Sequence, residues 1–122
     1  MKYSFLIVAA VSAVLFVSCK KEKAADAVDP AVCYFSCTTT DIDSALSQPK
    51  GSYIYQIDAY NYQGALVHLY YYGCCDRYNK VKDANCNFLF APSGGVGGGG
   101  DGTHPNFFKE AVFVTTVWKD PR

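Results

Sequence analysis

Cys74 and Cys75 are adjacent in the chain, and no other feature limits its folding as much. Neighbouring residues of an extended strand point to opposite sides. The two thiols are therefore expected to bond different partners, Cys37 and Cys86. Six cysteines stand in 122 residues, which points to an oxidising compartment or a metal. Cys19 closes an apolar leader and is treated below. Cys33, Cys37, Cys74, Cys75 and Cys86 remain, an odd set that allows at most two bridges within the chain and leaves one thiol over. Each bridge is worth about 2–4 kcal/mol, a large share of the net stability of a domain this small. Metal binding needs His/Cys pairs at ligand spacing, but no C-x-x-C occurs and His68 and His104 stand alone. C-x-x-C-H is absent too, so covalent haem is excluded. The cysteines read as structural bridges rather than a metal or redox centre, and no cofactor is expected.

The leader is an address. Met1-Lys2 is followed by a 13-residue apolar run, Phe5 to Val17, interrupted by Ser12. Crossing a ~30 Å hydrocarbon core takes roughly 20 apolar residues, so the run is short for a spanning helix and fits a signal-peptide h-region. It ends in Leu15-Phe16-Val17-Ser18-Cys19, which resembles a bacterial lipobox, with Phe16 where the usual Leu stands. The resemblance implies cleavage after Ser18 and lipidation of Cys19. Each buried acyl CH2 contributes about 0.8 kcal/mol, and more than one chain anchors stably. Residues 1–18 are thus expected to be a lipoprotein signal peptide. Residues 19–32, which include Lys20-Lys21-Glu22-Lys23, are read as the lipidated Cys and a flexible tether. Lys20 rather than Asp after the Cys argues against retention in an inner membrane. The expected location is the cell envelope, at the outer membrane.

Residues 33–122 are read as one small α+β domain, since about 90 residues leave no room for a second core. Thr40, capping with Asp43, opens a short helix whose stripe is Ile42, Ala45 and Leu46; Pro49 and Gly51 stop it. Tyr53–Tyr60 and Ala65–Tyr72 are rich in aromatic and β-branched residues and flank Asn61-Tyr62-Gln63-Gly64, which is turn chemistry, so they read as a hairpin. Asn87–Ala91 is a third strand, Pro105 opens a short helix and Val112–Trp118 is a closing strand. Between them Ser93–Gly102 packs seven glycines into ten positions and reads as a mobile loop. The predicted architecture is a short N-terminal helix and a disulfide-stapled antiparallel meander with a glycine-rich loop.

Candidate chemistry is sparse. Eleven basic and eleven acidic residues leave a formal charge of zero and a pI near 6.7, which removes the electrostatic case for nucleic acid. Gly95–Gly100 matches G-x-G-x-x-G by letters but lies in a poly-Gly run with no strand–helix frame. Ser47-Gln48-Pro49-Lys50 matches S-x-x-K, yet Pro49 breaks the helical turn that chemistry requires. Asp101, His104 and Asn106 supply one carboxylate, thin charge for a hard cation, and read as turn residues. Asp76-Arg77-Tyr78 has two readings, a polar site or a turn capped by Asp76. No nucleophile–base pair or paired carboxylates are visible, so no catalytic residue is assigned. Eight tyrosines fall between Tyr53 and Tyr78. Tyr joins a large apolar body to a hydroxyl, which suits sugar or peptide recognition, while packing on the sheet is the plainer use. Tyr60, Tyr70 and Tyr72, with Asp101 and His104, are the binding candidates.

Gly73-Cys74-Cys75-Asp76-Arg77-Tyr78, Ala91-Pro92-Ser93-Gly94-Gly95, Gly100-Asp101-Gly102, Pro105-Asn106-Phe107 and Trp118-Lys119-Asp120 occur in this order. The set resembles a family of short Bacteroidota lipoproteins classed as a domain of unknown function, the one numbered 6970. Its elements are C-C-D-x-[YF], P-x-G-G, G-D-G-x-C-P-[DN]-F and a terminal W-[KE]-D, and the resemblance covers roughly Cys37 to Arg122. The family pattern has Cys where this chain has Phe90 and His104, which implies the loss of one bridge and leaves Cys33 as the odd thiol. The resemblance bears on fold and location, not on chemistry. The expected function is a lipid-anchored, non-catalytic envelope module that binds a glycan, peptide or protein. An inhibitor-like protein acting on a hydrolase is the first alternative and an enzyme the second.

Overall fold

The computed structural model describes residues 34–122; the expected signal peptide, Cys19, the tether and Cys33 lie outside them. The described chain runs α1 (Ser36–Leu46), β1 (Ile54–Tyr62), β2 (Ala65–Tyr72), β3 (Tyr78–Lys82), β4 (Phe88–Gly94), α2 (Phe107–Glu110) and β5 (Val112–Lys119). The strands form one antiparallel sheet in the order β4-β3-β2-β1-β5. The predicted α+β meander with an N-terminal helix is thus the observed class, with one strand more than expected.

The hairpin forms as its turn chemistry demands. Tyr62 pairs with Ala65, and Gln63 and Gly64 between them both take positive φ, 51° and 81°. Two left-handed residues in a two-residue loop match the twist of the flanking strands. In this register Ile57 faces Tyr70 and Ala59 faces His68. The face that carries Ile57 and Ala59 therefore also carries His68 and Tyr70, and α1 covers it. Ala45, Ile54, Ile57, Ala59, Tyr70 and Val117 form its buried cluster. The other face buries Tyr62, Val67, Leu69, Val81, Phe90 and Phe107, the last brought in by α2.

The helix begins a turn earlier than predicted. Thr40 lies inside it, the residue preceding it is Phe35 and no side chain caps it. Two contacts draw this earlier turn in. Thr38 is fully buried against the sheet and Cys37 is bridged to Cys86 in the turn between β3 and β4. The buried stripe is accordingly Thr38, Ile42 and Ala45, at i, i+4 and i+7, while Leu46 is exposed. At the other end Arg122, ion-paired with Asp120 at 2.7 Å, donates to the carbonyls of Ala45, Leu46 and Gln48, where the helix dipole favours a cation.

The expected cysteine pairing is corrected. Cys37 bonds Cys86, and Cys74 and Cys75 bond each other. The inference from strand alternation fails because the pair sits in the turn after β2, where Cys75 and Asp76 take positive φ of 71° and 50°.

The glycine segment is also more ordered than expected. Ser93 and Gly94 close β4, and the rest folds back on it. The Gly94 amide donates to Gly98 (3.2 Å), Gly98 to Gly95 (3.0 Å), Gly100 to Gly94 (3.1 Å) and Asp101 to Ala91 (2.8 Å). A Cβ on Gly100 would run into the Ala91 carbonyl, so the loop needs glycine here to lie against β4. Among the described residues, no helix is long and apolar enough to cross a membrane.

Candidate functional site

The binding candidates do not converge. Tyr70 is corrected from ligand contact to core: it is fully buried under α1, its hydroxyl 3.2 Å from Thr38 Oγ1 and its ring beneath Lys82 Nζ at 4.5 Å. Burial pushes its hydroxyl up to about 12. Tyr60 lies on the opposite face. Its ring meets Phe107, Phe108 and Phe113 edge to face, and its hydroxyl lies 3.4 Å from that of Tyr71.

Asp101 is spent on its own loop. One carboxylate oxygen accepts from the Ala91 amide (2.8 Å) and the other from the amide and hydroxyl of Thr103 (3.0 and 2.7 Å). These bonds, the Thr103 amide first, hold the carboxyl below its usual range. His104 stacks on Phe90 with ring centroids 3.8 Å apart and 21° between planes. Positions 90 and 104 are thus direct neighbours, and stacked rings make the contact. A hollow of about 360 Å3 opens beside His104, between Tyr62, Val67, Leu89 and Phe90.

Tyr72 lies elsewhere, in a second hollow of about 370 Å3 that it shares with Tyr53, Asp76, Arg77, Tyr78 and Lys80. Hairpin pairing explains the meeting. Ile54 stands opposite Tyr72, so Tyr53 and Tyr72 reach the same end of the sheet, where their rings cross edge to face at 5.6 Å and 89°. Beyond β2 the turn through Cys74–Cys75 and Asp76 reverses the chain, and β3 returns with Tyr78 and Lys80 two residues apart on one face. The Arg77 guanidinium lies over Tyr53 at 5.8 Å and Lys80 Nζ over Tyr72 at 5.6 Å. Among the described residues, neither cation has a carboxylate partner; the ion pairs are Lys82–Asp41 and Arg122–Asp120. Burial, then the neighbouring Tyr53, raises the Tyr72 hydroxyl above its usual range, so the ring stays neutral beneath Lys80.

Two close approaches fix the walls. A Cβ on Gly73 would strike the Gly51 carbonyl, and the Gly73 amide donates to Tyr53 (2.9 Å). A Cβ on Gly95 would strike the Tyr78 ring, and the Gly95 amide donates to Arg77 (3.0 Å). The glycine segment thus backs the cleft. Of the two readings of Asp76-Arg77-Tyr78, the structure contains features of both: a left-handed turn at Asp76, and an Arg and a Tyr projected into a hollow.

Sequence reasoning missed Tyr53, Arg77 and Lys80 as partners of Tyr72, because only the register reveals them. It also missed Asp58, which is 5% exposed. Its carboxylate accepts from the Gln56 amide (3.0 and 2.9 Å) and the Thr116 hydroxyl (2.9 Å), a buried charge held by neutral donors. Among the described residues, no three His, Cys, Asp or Glu side chains gather as metal ligands.

Residues 43–120 match the family described as Domain of unknown function (DUF6970). The chain belongs to this family. The match takes in the whole sheet and the cleft and begins within α1, so the cleft lies inside the family's domain. No curated protein matches the chain, and no solved structure does.

Proposed function

We propose that this chain is a non-catalytic binding module, anchored by a lipid on Cys19 to the outer membrane of a cell envelope, and that the cleft between Tyr53, Tyr72, Arg77 and Lys80 is its ligand surface. One observation carries the reading. Two cations rest on two crossed tyrosine rings in an open hollow with no carboxylate partner among the described residues. Aromatic faces offer a ligand apolar contact, and the unpaired charges offer it strong hydrogen bonds. The leader and the Lys20–Lys23 segment supply the address and the spacer.

Two measurements test the halves separately. Cys19→Ala should move the protein from the membrane pellet to the soluble fraction; a variant that still pellets overturns the anchor. The full chain in detergent should retain ligands on glycan and peptide arrays, and Arg77→Gln should lose them. Equal retention by this variant would overturn the cleft as the ligand surface.

A second reading, a small inhibitor of a hydrolase, is favoured by Val96. Its side chain is 90% exposed at the tip of the glycine segment, which backbone bonds pin at Gly94, Gly98 and Gly100. Preorganisation of this kind is what inhibitor loops need. Slowing of a hydrolase by the wild-type chain and not by Val96→Asp would favour this reading over the first.

A further inference from the structure

We infer that the cleft takes a carboxylate-bearing saccharide, with the acid group on Arg77 and Lys80 and a sugar ring laid on the exposed face of Tyr78. The assignment rests on the cleft being the ligand surface and adds what the ligand is.

Charge decides the first half. The lining holds two cations, Arg77 and Lys80, against one carboxylate, Asp76, so the hollow carries an excess positive charge in a chain with no net charge. Both cations are pre-placed on rings, which lowers the side-chain entropy lost on binding. Arg offers a planar fork that fits a carboxylate with two parallel hydrogen bonds, and Lys adds a point charge.

The backbone decides between a saccharide and an acidic peptide. Peptides that dock on sheets bind through main-chain groups at a free strand edge. Among the described residues the strands that line this cleft, β2 and β3, are paired on both sides, and the free edges belong to β4 and β5. The Tyr72 amide donates to Asn79 Oδ1 (2.9 Å), Gly73 to the Tyr53 carbonyl (2.9 Å) and Gly95 to the Arg77 carbonyl (3.0 Å). What the lining presents to a ligand is flat rings and cations. Tyr78, 46% exposed and backed by Gly95, is the open plate.

Asp76 is the discriminating residue. It stands on the rim with its backbone at a φ of 50°, a conformation Asn adopts readily, so Asp76→Asn removes a negative charge without disturbing the turn.

The test titrates the full chain in detergent with a short oligogalacturonate, its methyl ester and an oligoglutamate, following heat and Tyr fluorescence. The oligogalacturonate should bind, more weakly as salt rises. The ester should bind about tenfold less well, and Arg77→Gln and Lys80→Gln should each cost about tenfold. Asp76→Asn should tighten the acid about threefold and leave the ester unchanged. Unchanged Tm values for these surface variants would confirm that they fold. If the ester matches the acid and Tyr78→Ala weakens both, the acid assignment falls while the cleft stands. Tighter binding of oligoglutamate makes the occupant an acidic peptide and overturns the proposal. Weaker binding of the acid by Asp76→Asn overturns the charge argument. If none of the three probes binds, the saccharide assignment falls, and array retention by the wild-type chain against Arg77→Gln decides the cleft separately.

Discussion

On the face that α1 covers, buried side chains end in polar partners. Tyr70 reaches Thr38, Thr38 reaches His68 Nδ1 at 3.2 Å, Lys82 pairs with Asp41 at 2.6 Å, and Cys37 is tied to Cys86. On the opposite face they end in rings: Tyr62, Phe90 and Phe107 meet one another edge to face, and Tyr60, Phe108 and Phe113 extend the cluster outward. The first face adds directional bonds and a covalent tie to its apolar cluster, whereas the second rests mainly on area and shape, with Asp58 as its one buried carboxylate among the described residues. The difference explains where the cleft lies. Lys80 and Lys82 of β3 rest on tyrosines of the polar face, and past the end of α1 no described residue covers Lys80. Among the described residues the hollow on the ring face, beside His104, has no Lys or Arg in its lining, and α2 and β5 cover the neighbouring surface with aromatic side chains.

The sharpest way to break this comparison is at Phe107, which is 1% exposed and in contact with Tyr60, Tyr62 and Phe90. Phe107→Ala should cost about 3–5 kcal/mol through lost burial and the cavity left behind, measured by urea unfolding. A loss under about 1 kcal/mol would mean that α2 does not close the face.

The covalent tie on the other face is worth somewhat less. Replacing Cys37 and Cys86 together by Ala should cost about 2–4 kcal/mol. Hydrogen exchange should rise first in α1, which the bridge pins to the β3–β4 turn. If exchange rises uniformly instead, α1 is held by its packing alone.

The polar face also carries the pH dependence. His68 is fully buried, stacked on Phe35 at 3.7 Å, with Nε2 lacking a partner among the described residues, and burial lowers its pKa to about 4. The unfolded chain takes up that proton near pH 6.5, before the folded chain does, so stability falls as pH drops from that value toward 4. By about pH 4.5 the loss should reach about 2–3 kcal/mol. His68→Leu should flatten this part of the profile. A slope that survives the substitution would move the titration to another group.

How much of this could be read from residues alone depends on whether the signal was local. The hairpin was legible because two strand-like runs flank Asn61-Tyr62-Gln63-Gly64, although Asn61 and Tyr62 extend β1 and leave Gln63-Gly64 as the turn, and β5 because Val112–Trp118 is continuous. β3 was not: Val81 is its one buried apolar residue, and Lys80 and Lys82 read as solvent-facing until Tyr72 and Tyr70 are found beneath their ammonium groups. The cysteine pairing failed for a related reason. Alternation applies to strands, and the left-handed backbone at Cys75 and Asp76 makes Cys74–Cys75 a turn. Tyr70 and Tyr72 illustrate the limit for the site. They stand two residues apart on one face, yet α1 buries the first and stops short of fully covering the second. The same register brings Tyr53 to Tyr72 across the hairpin, and no spacing in the sequence reports it.

The smallest expected effect sharpens the comparison most. Lys80 is exposed and lacks a carboxylate partner among the described residues, so Lys80→Gln should change stability by less than about 0.5 kcal/mol. Lys82, one turn of the pleat away, bonds Asp41 and lies over Tyr70, so Lys82→Gln should cost about 1 kcal/mol or more by cutting α1 from β3. Both are lysines over tyrosines on one strand. If parallel urea titrations rank them in this order, Lys82 belongs to the scaffold, and Lys80 is held in place for something outside the chain. Equal losses would return Lys80 to the scaffold and remove the unpaired charge on which the cleft depends.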